Sequence, residues 1–195
     1  MNNLLLRRRA LMRMGGKEKS LLPDGYTQLE YVTRSQAFST EDKFILPRLP
    51  MHFELKVEIN FPYYEQYNES TYWNLVGINS SFQVGYTKKG YAHDGNRVIQ
   101  TVFYHENIPA VVSGTFASNA DDSRYYVDGV DTGLRRATTN MNSFFLNMAG
   151  KIFYLRVFDT NGDAFYYLPC ERNADGAKGL YDVINNVFVT ASYYS

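Results

Sequence analysis

The run Phe53-Glu54-Leu55-Lys56-Val57-Glu58-Ile59-Asn60-Phe61 alternates apolar and polar residues at every step. Successive side chains of a strand point to opposite faces, so this run reads as a strand with its odd positions in a core. Glu54, Lys56, Glu58 and Asn60 then face solvent or a groove. Strand signals recur on both sides of it: Tyr26 to Val32 after the turn Pro23-Asp24-Gly25, then Trp73 to Ile78, Ser81 to Thr87, Arg97 to Tyr104 and Ala110 to Phe116. They continue with Arg124 to Val127 and on through Val130 to Leu134, Ser143 to Met148, Ile152 to Phe158, Ala164 to Leu168 and Val187 to Thr190. Most are short and bounded by Gly, Asn, Asp or Pro. Asp128-Gly129 and Asp159-Thr160-Asn161-Gly162 supply hairpin turns, because Gly, Asn and Asp accept the positive φ that such turns require. Many short strands without helical segments predict two packed antiparallel sheets.

Composition agrees. The 195 residues suit one all-β domain, and the 17 Tyr and 13 Phe favour pleated, half-buried surfaces. The single cysteine, Cys170, excludes an intrachain disulfide framework. Flanked by Leu168-Pro169, it reads as a small buried hydrophobe and not a nucleophile. No stretch approaches the roughly 18 consecutive apolar residues of a membrane span. Leu4-Leu5-Leu6 precedes Arg7-Arg8-Arg9 with no apolar run after it, which is not the order of a secretory signal, so export by that route is not expected. The sequons at Asn68 and Asn79 then read as chance matches.

Formal net charge is zero, yet the first 19 residues carry six Lys and Arg against one Glu, leaving 14 basic and 19 acidic residues beyond. Such asymmetry implies that the arm serves a different partner from the body's or docks on acidic surface. Helix formers fill residues 2–14 until Gly15-Gly16 stops them. At helical spacing Leu4, Leu5, Leu11 and Met12 share a face of about 120°, with Arg7, Arg9 and Arg13 outside it and Arg8 interrupting it. A helix this short is marginal alone in water and is expected to order only against a partner or the chain's own body. The expected organisation is a basic arm and hinge over residues 1–21 and a sandwich over residues 22–195.

Arg124-Tyr125-Tyr126-Val127-Asp128-Gly129 resembles the hairpin phrase of laminin-G-like, concanavalin-A-like jelly rolls, and the strands before and after it follow that family's order. More narrowly, Leu22-Pro23-Asp24-Gly25-Tyr26-Thr27-Gln28-Leu29-Glu30-Tyr31, together with Tyr167-Leu168-Pro169-Cys170 and Gly179-Leu180-Tyr181-Asp182, is similar to a module of phage and prophage structural proteins of gut bacteria. The segment Thr33-Arg34-Ser35-Gln36-Ala37-Phe38 departs from that pattern. The resemblance implies an all-β, two-sheet antiparallel jelly-roll sandwich with a short helical or extended amino-terminal arm, displayed on a virion or cell surface. It implies no ligand, because one fold hosts many functions.

Several residue groups could carry chemistry. Glu54 and Glu58 share a strand face, as the carboxylates of jelly-roll glycosidases do, but Lys56 stands where those enzymes place an Asp, and the charges read as solvent-facing. His52, His93 and His105 lie far apart with no zinc spacing. Calcium is the metal for which the chain offers oxygen ligands, at Asp121, Asp122, Asp128 and Asp131, but these read first as turn and loop residues, and no metal or other cofactor is assigned. The loop from Pro62 to Trp73 sets Tyr63, Tyr64, Tyr67, Tyr72 and Trp73 beside amides and carboxylates, a mixture suited to a glycan or a subunit contact. Four arginines on a short arm are too thin a footprint to assign nucleic acid.

The function expected from the sequence is a non-enzymatic phage virion protein (capsid decoration, head fibre, neck or tail component) made in the bacterial cytoplasm. Leu4, Leu5, Arg7, Arg8, Arg9, Leu11, Met12 and Arg13 would dock it to other virion proteins, with further contacts between copies of itself. The alternative is a carbohydrate-binding module recognising host or bacterial surface glycan.

Overall fold

The computed structural model describes residues 20–35, 43–44, 48–59, 72–78, 82–87, 92–93, 98–99, 109–131, 133, 135, 144–146, 150–190 and 194–195. The docking arm and Tyr63, Tyr64 and Tyr67 lie outside the described residues. The strands are β1 (Tyr26–Gln28), β2 (Val32–Arg34), β3 (Lys43–Phe44), β4 (Met51–Ile59), β5 (Tyr72–Ile78), β6 (Phe82–Thr87), β7 (Ala92–His93) and β8 (Val98–Ile99). There follow β9 (Ala110–Phe116), β10 (Arg124–Val127), β11 (Val130–Asp131), β12 (Phe144–Leu146), β13 (Gly150–Asp159), β14 (Gly162–Arg172), β15 (Ala177–Asp182) and β16 (Val187–Val189). Among the described residues the helical element is a 3-10 turn at Ala120–Asp122.

The larger sheet has the order β11-β10-β9-β4-β13-β14-β15-β16, with β1 added to β14 and β2 to β13. The smaller runs β3-β12-β5-β6-β7-β8. Every pairing is antiparallel, giving the all-β, two-sheet sandwich that the alternation predicts.

The alternation of β4 holds residue by residue. Met51, Phe53, Leu55 and Val57 are at most 1% exposed. Leu55 lies opposite Leu155 on one side and Val112 on the other, so three strands contribute to one layer. Burying each such side chain contributes roughly 1.5–3 kcal/mol. Phe53 and Phe116 stack at 4.7 Å, with the Tyr125 ring 6.2 Å from Phe53. This trio closes over Gly114, where a Cβ would lie 2.6 Å from the Tyr125 ring and 2.8 Å from that of Phe53.

Both hairpin turns form as read. Asp128 and Gly129 take positive φ (48° and 81°), and the Asp128 carboxylate accepts the Val111 N–H at 2.8 Å, tying the turn to the next strand. Gly162 has φ 128°, and the Asn161 N–H donates to Asp159 Oδ1 at 2.7 Å.

A second, smaller core lies on the opposite face of the larger sheet. Leu22, Leu168, Cys170 and Tyr181 are buried together, with Tyr26, Tyr154, Tyr166, Val183 and Phe188 packed around them. Each end phrase singled out in the sequence contributes to this cluster. Asp182, 1% exposed, accepts the N–H groups of Tyr166 (3.1 Å) and Ile184 (3.0 Å) and the Asn185 amide (2.6 Å). The last phrase therefore ends in an acceptor that locks the β15–β16 turn onto β14.

The structure differs from the sequence reading at several places, among them the unforeseen short strands β3 and β7. Tyr26 to Val32 is two short strands, because β1 pairs with β14 and β2 with β13. The strand expected to end at Leu168 continues through Pro169 to Arg172. Of the run Val130 to Leu134, the strand among the described residues is Val130–Asp131, after which the Asp131 carboxylate accepts the Gly133 N–H at 2.8 Å. Ala177–Asp182, too glycine-interrupted to read as a strand, pairs with both β14 and β16.

Candidate functional site

The even positions of β4 and their cross-strand neighbours form a half-buried band on the face of the larger sheet turned away from the main core. Across the strands, Glu54 lies opposite Arg156 and Ser113, Arg156 opposite Tyr166, and Lys56 opposite Tyr154. A register shift between Ile152 and Tyr154 inserts Phe153 as an extra residue on β13. Such a bulge re-aims a side chain, and here Phe153 meets Tyr31 edge-on at 5.6 Å.

At one end of the band, Lys151 bonds Glu58 at 2.7 Å and stands 4.8 Å over the Tyr31 ring. The hydrogen bond to Glu58 raises the Lys151 pKa above its ordinary value. Lys56 stands 4.8 Å over the Phe153 ring. In the middle, the Tyr154 hydroxyl donates to Glu54 Oε1 at 2.6 Å. Beyond it, Arg156 Nε donates to Asp163 Oδ1 at 2.6 Å, and its guanidinium lies 4.8 Å over Phe158 and 5.9 Å from Tyr166. Tyr154 and Tyr166 meet at right angles, 6.5 Å apart, where the band borders the second core. His52 Nδ1 lies 2.8 Å from Thr115 Oγ1, with its ring beside Phe158.

Ring faces and edges, carboxylates, a guanidinium and hydroxyls thus alternate along one surface. Sugar rings present an apolar C–H face to aromatic groups and hydroxyls that both donate and accept, which this mixture can satisfy. Glu54 and Glu58, singled out from the sequence as a carboxylate pair, are both here, each engaged with its own partner.

The other sequence candidates fall elsewhere. Tyr72 and Trp73 open β5 opposite Thr87 and Tyr86 in the smaller sheet. Asp128 serves its turn, Asp131 bonds Arg135 at 2.6 Å, and Asp121 and Asp122 sit in the 3-10 turn, whose start is capped by Asn119 accepting the Asp121 N–H at 3.0 Å. Among the described residues no group of three His, Cys, Asp or Glu side chains could hold a metal ion. Cys170 is fully buried, and burial pushes its thiol up to about 11. Sequence reasoning missed Tyr31, Phe153, Tyr154, Arg156, Asp163 and Tyr166 as a group. The available signal was the even-position alternation of β4, which obliges its neighbours in register to share that face.

Among solved structures, the fold is similar to that of a protein from Bacteroides ovatus ATCC 8483 described as a "putative carbohydrate binding protein", with a TM-score of 0.54 and 12% identity over 87% of this chain. The likeness is one of fold. This chain spans 60% of the length of that structure. No protein-family model matches the sequence, and no curated protein matches it.

Proposed function

We propose that this chain is a non-enzymatic carbohydrate-recognition sandwich, with the β4–β13–β14 band as its binding face. The observation that carries the reading is the alternation of aromatic rings with hydrogen-bonding groups from Tyr31 through Phe153, Tyr154 and Arg156 to Tyr166. The fold likeness to the Bacteroides ovatus protein supports the same reading. The test is an array of bacterial and host glycans probed with the intact chain and with Tyr166→Ala. Binding that weakens in the variant supports the proposal, and no binding by the parent chain rejects it.

The second reading sets this domain on a virion, docked by its basic arm to other virion proteins and to copies of itself. It is favoured by the packing of Leu22, Tyr26, Leu168, Cys170 and Tyr181, the residues of the phage-like end phrases, into one cluster. Deleting residues 1–16 and finding unchanged incorporation into particles would reject the docking role.

A further inference from the structure

We infer that the band selects uncharged glycans over carboxylated or sulfated ones. This rests on the reading of the band as a carbohydrate site and names its ligand class.

The inference follows from how charge is arranged there. The band holds three cations, Lys56, Lys151 and Arg156, and three carboxylates, Glu54, Glu58 and Asp163, with a fourth, Glu30, acting on Lys151 from beside Tyr31. Lys151 is spent on Glu58 at 2.7 Å and Arg156 on Asp163 at 2.6 Å. Lys56 sits over the Phe153 ring, on the same strand face as Glu54 and Glu58, whose Cα atoms lie about 7 Å to either side of its own along the strand. Every positive centre therefore has a negative one at hand, and the face carries no excess of positive charge to draw an anion from solution. An anionic sugar set against Lys151 or Arg156 would also lie beside Glu58 or Asp163, and like charges brought that close repel.

A neutral polyol meets no such cost. The Tyr154 hydroxyl donates to Glu54 Oε1, which leaves the second Glu54 oxygen to accept a sugar hydroxyl. Arg156 uses Nε for Asp163, and among the described residues its terminal nitrogens carry no other hydrogen bond, so they can donate to sugar oxygens. Tyr31 and Phe153 offer apolar surface beside these groups. Charged side chains held in fixed pairs here act as oriented donors and acceptors, not as attractors of opposite charge.

The test uses the intact chain against a matched panel: unsubstituted gluco-, manno- and galacto-configured oligosaccharides and their carboxylated and sulfated counterparts. Binding is measured between about 0.05 M and about 0.5 M salt. The expected result is binding to unsubstituted members, changing less than about twofold over that range, because an uncharged ligand leaves little for salt to screen. Glu54→Gln should weaken it about tenfold or more, the loss of one charge-assisted hydrogen bond. Phe153→Ala should weaken it similarly, with thermal melts confirming that each variant is folded. Glu58→Gln releases Lys151 and should bring carboxylated members into the bound set. Preference of the parent chain for the charged members, with strong salt dependence, overturns the inference and leaves the carbohydrate reading standing. Binding that is indifferent to Glu54→Gln and Phe153→Ala overturns the inference for this face, and no binding to any member overturns the reading beneath it.

Discussion

Leu29 donates its backbone N–H to the carbonyl oxygen of Pro169 at 3.0 Å, and Pro169 has no hydrogen to return. A proline inside a sheet removes one ladder bond. Here the missing bond falls where β1 ends and the chain steps across to β2. β1 pairs with Cys170–Arg172 and β2 with Gly150–Ile152, so the segment fills the fork where β13 and β14 diverge. On its other side β2 bonds Ser195, with the Thr33 N–H donating at 2.8 Å and the Thr33 carbonyl accepting at 2.9 Å. The segment acts as a structural wedge. Val32, fully buried opposite Ile152, is its anchor, and Val32→Ala should cost roughly 1–3 kcal/mol in a denaturant titration, the usual loss for such a truncation. A loss within about 0.5 kcal/mol, as at an ordinary surface site, would remove the wedge from the account.

Gly179 lies against Phe188, which packs on the second core, and leaves no room for a Cβ. A Cβ there would lie 2.1 Å from the Val189 carbonyl oxygen and 3.0 Å from the Phe188 ring, and backbone cannot yield as a flexible side chain can. Gly179→Ala should destabilise the fold by roughly 1–3 kcal/mol or more through overpacking. Thermal melts of the two forms check this, and equal midpoints would contradict it.

Cys170 should be silent toward thiol reagents. Its burial and its pKa of about 11 leave almost no accessible thiolate at neutral pH. The native protein should resist a disulfide-exchange reagent at pH 7.5 and release one thiol equivalent only when unfolded. Fast labelling of the native state would show that the second core opens.

Asp175 gives a pH dependence with a definite sign. Its bond from Arg172 at 2.6 Å, helped by the Ala177 N–H, lowers its pKa to about 2 from an ordinary value near 4. A carboxylate with a depressed folded-state pKa stabilises above its unfolded pKa and loses that contribution as pH falls through the folded one. Asp175→Asn should therefore melt slightly below the parent at neutral pH, the gap closing between about pH 4 and about pH 2. The pair is exposed, so the gap is small. A gap that persists below pH 2 would assign it to something other than this charge.

The fold was largely legible because strict alternation at Phe53 to Phe61 admits one periodicity, and Asp128-Gly129 and Asp159-Thr160-Asn161-Gly162 fix where chains reverse. Ala177–Asp182 was not, since Gly179 carries no side chain to pack and its strand exists through neighbours on both edges. Nor was the split of Tyr26 to Val32, which depends on two partner strands more than a hundred residues away. The candidate site was half legible. Glu54 and Glu58 could be placed on one face from their spacing, but Arg156, Tyr166 and Tyr31 reach it only through register. Phe153 joins them through a bulge that no local pattern announces.

The most direct measurement is a nuclear magnetic resonance titration of the intact chain with an unsubstituted oligosaccharide from the panel, following the resonances of the binding face. The account predicts that signals of Glu54, Phe153, Tyr154, Arg156 and Tyr166 shift together and saturate together. Saturating shifts confined to Tyr63 through Trp73, with those five unmoved, would contradict it.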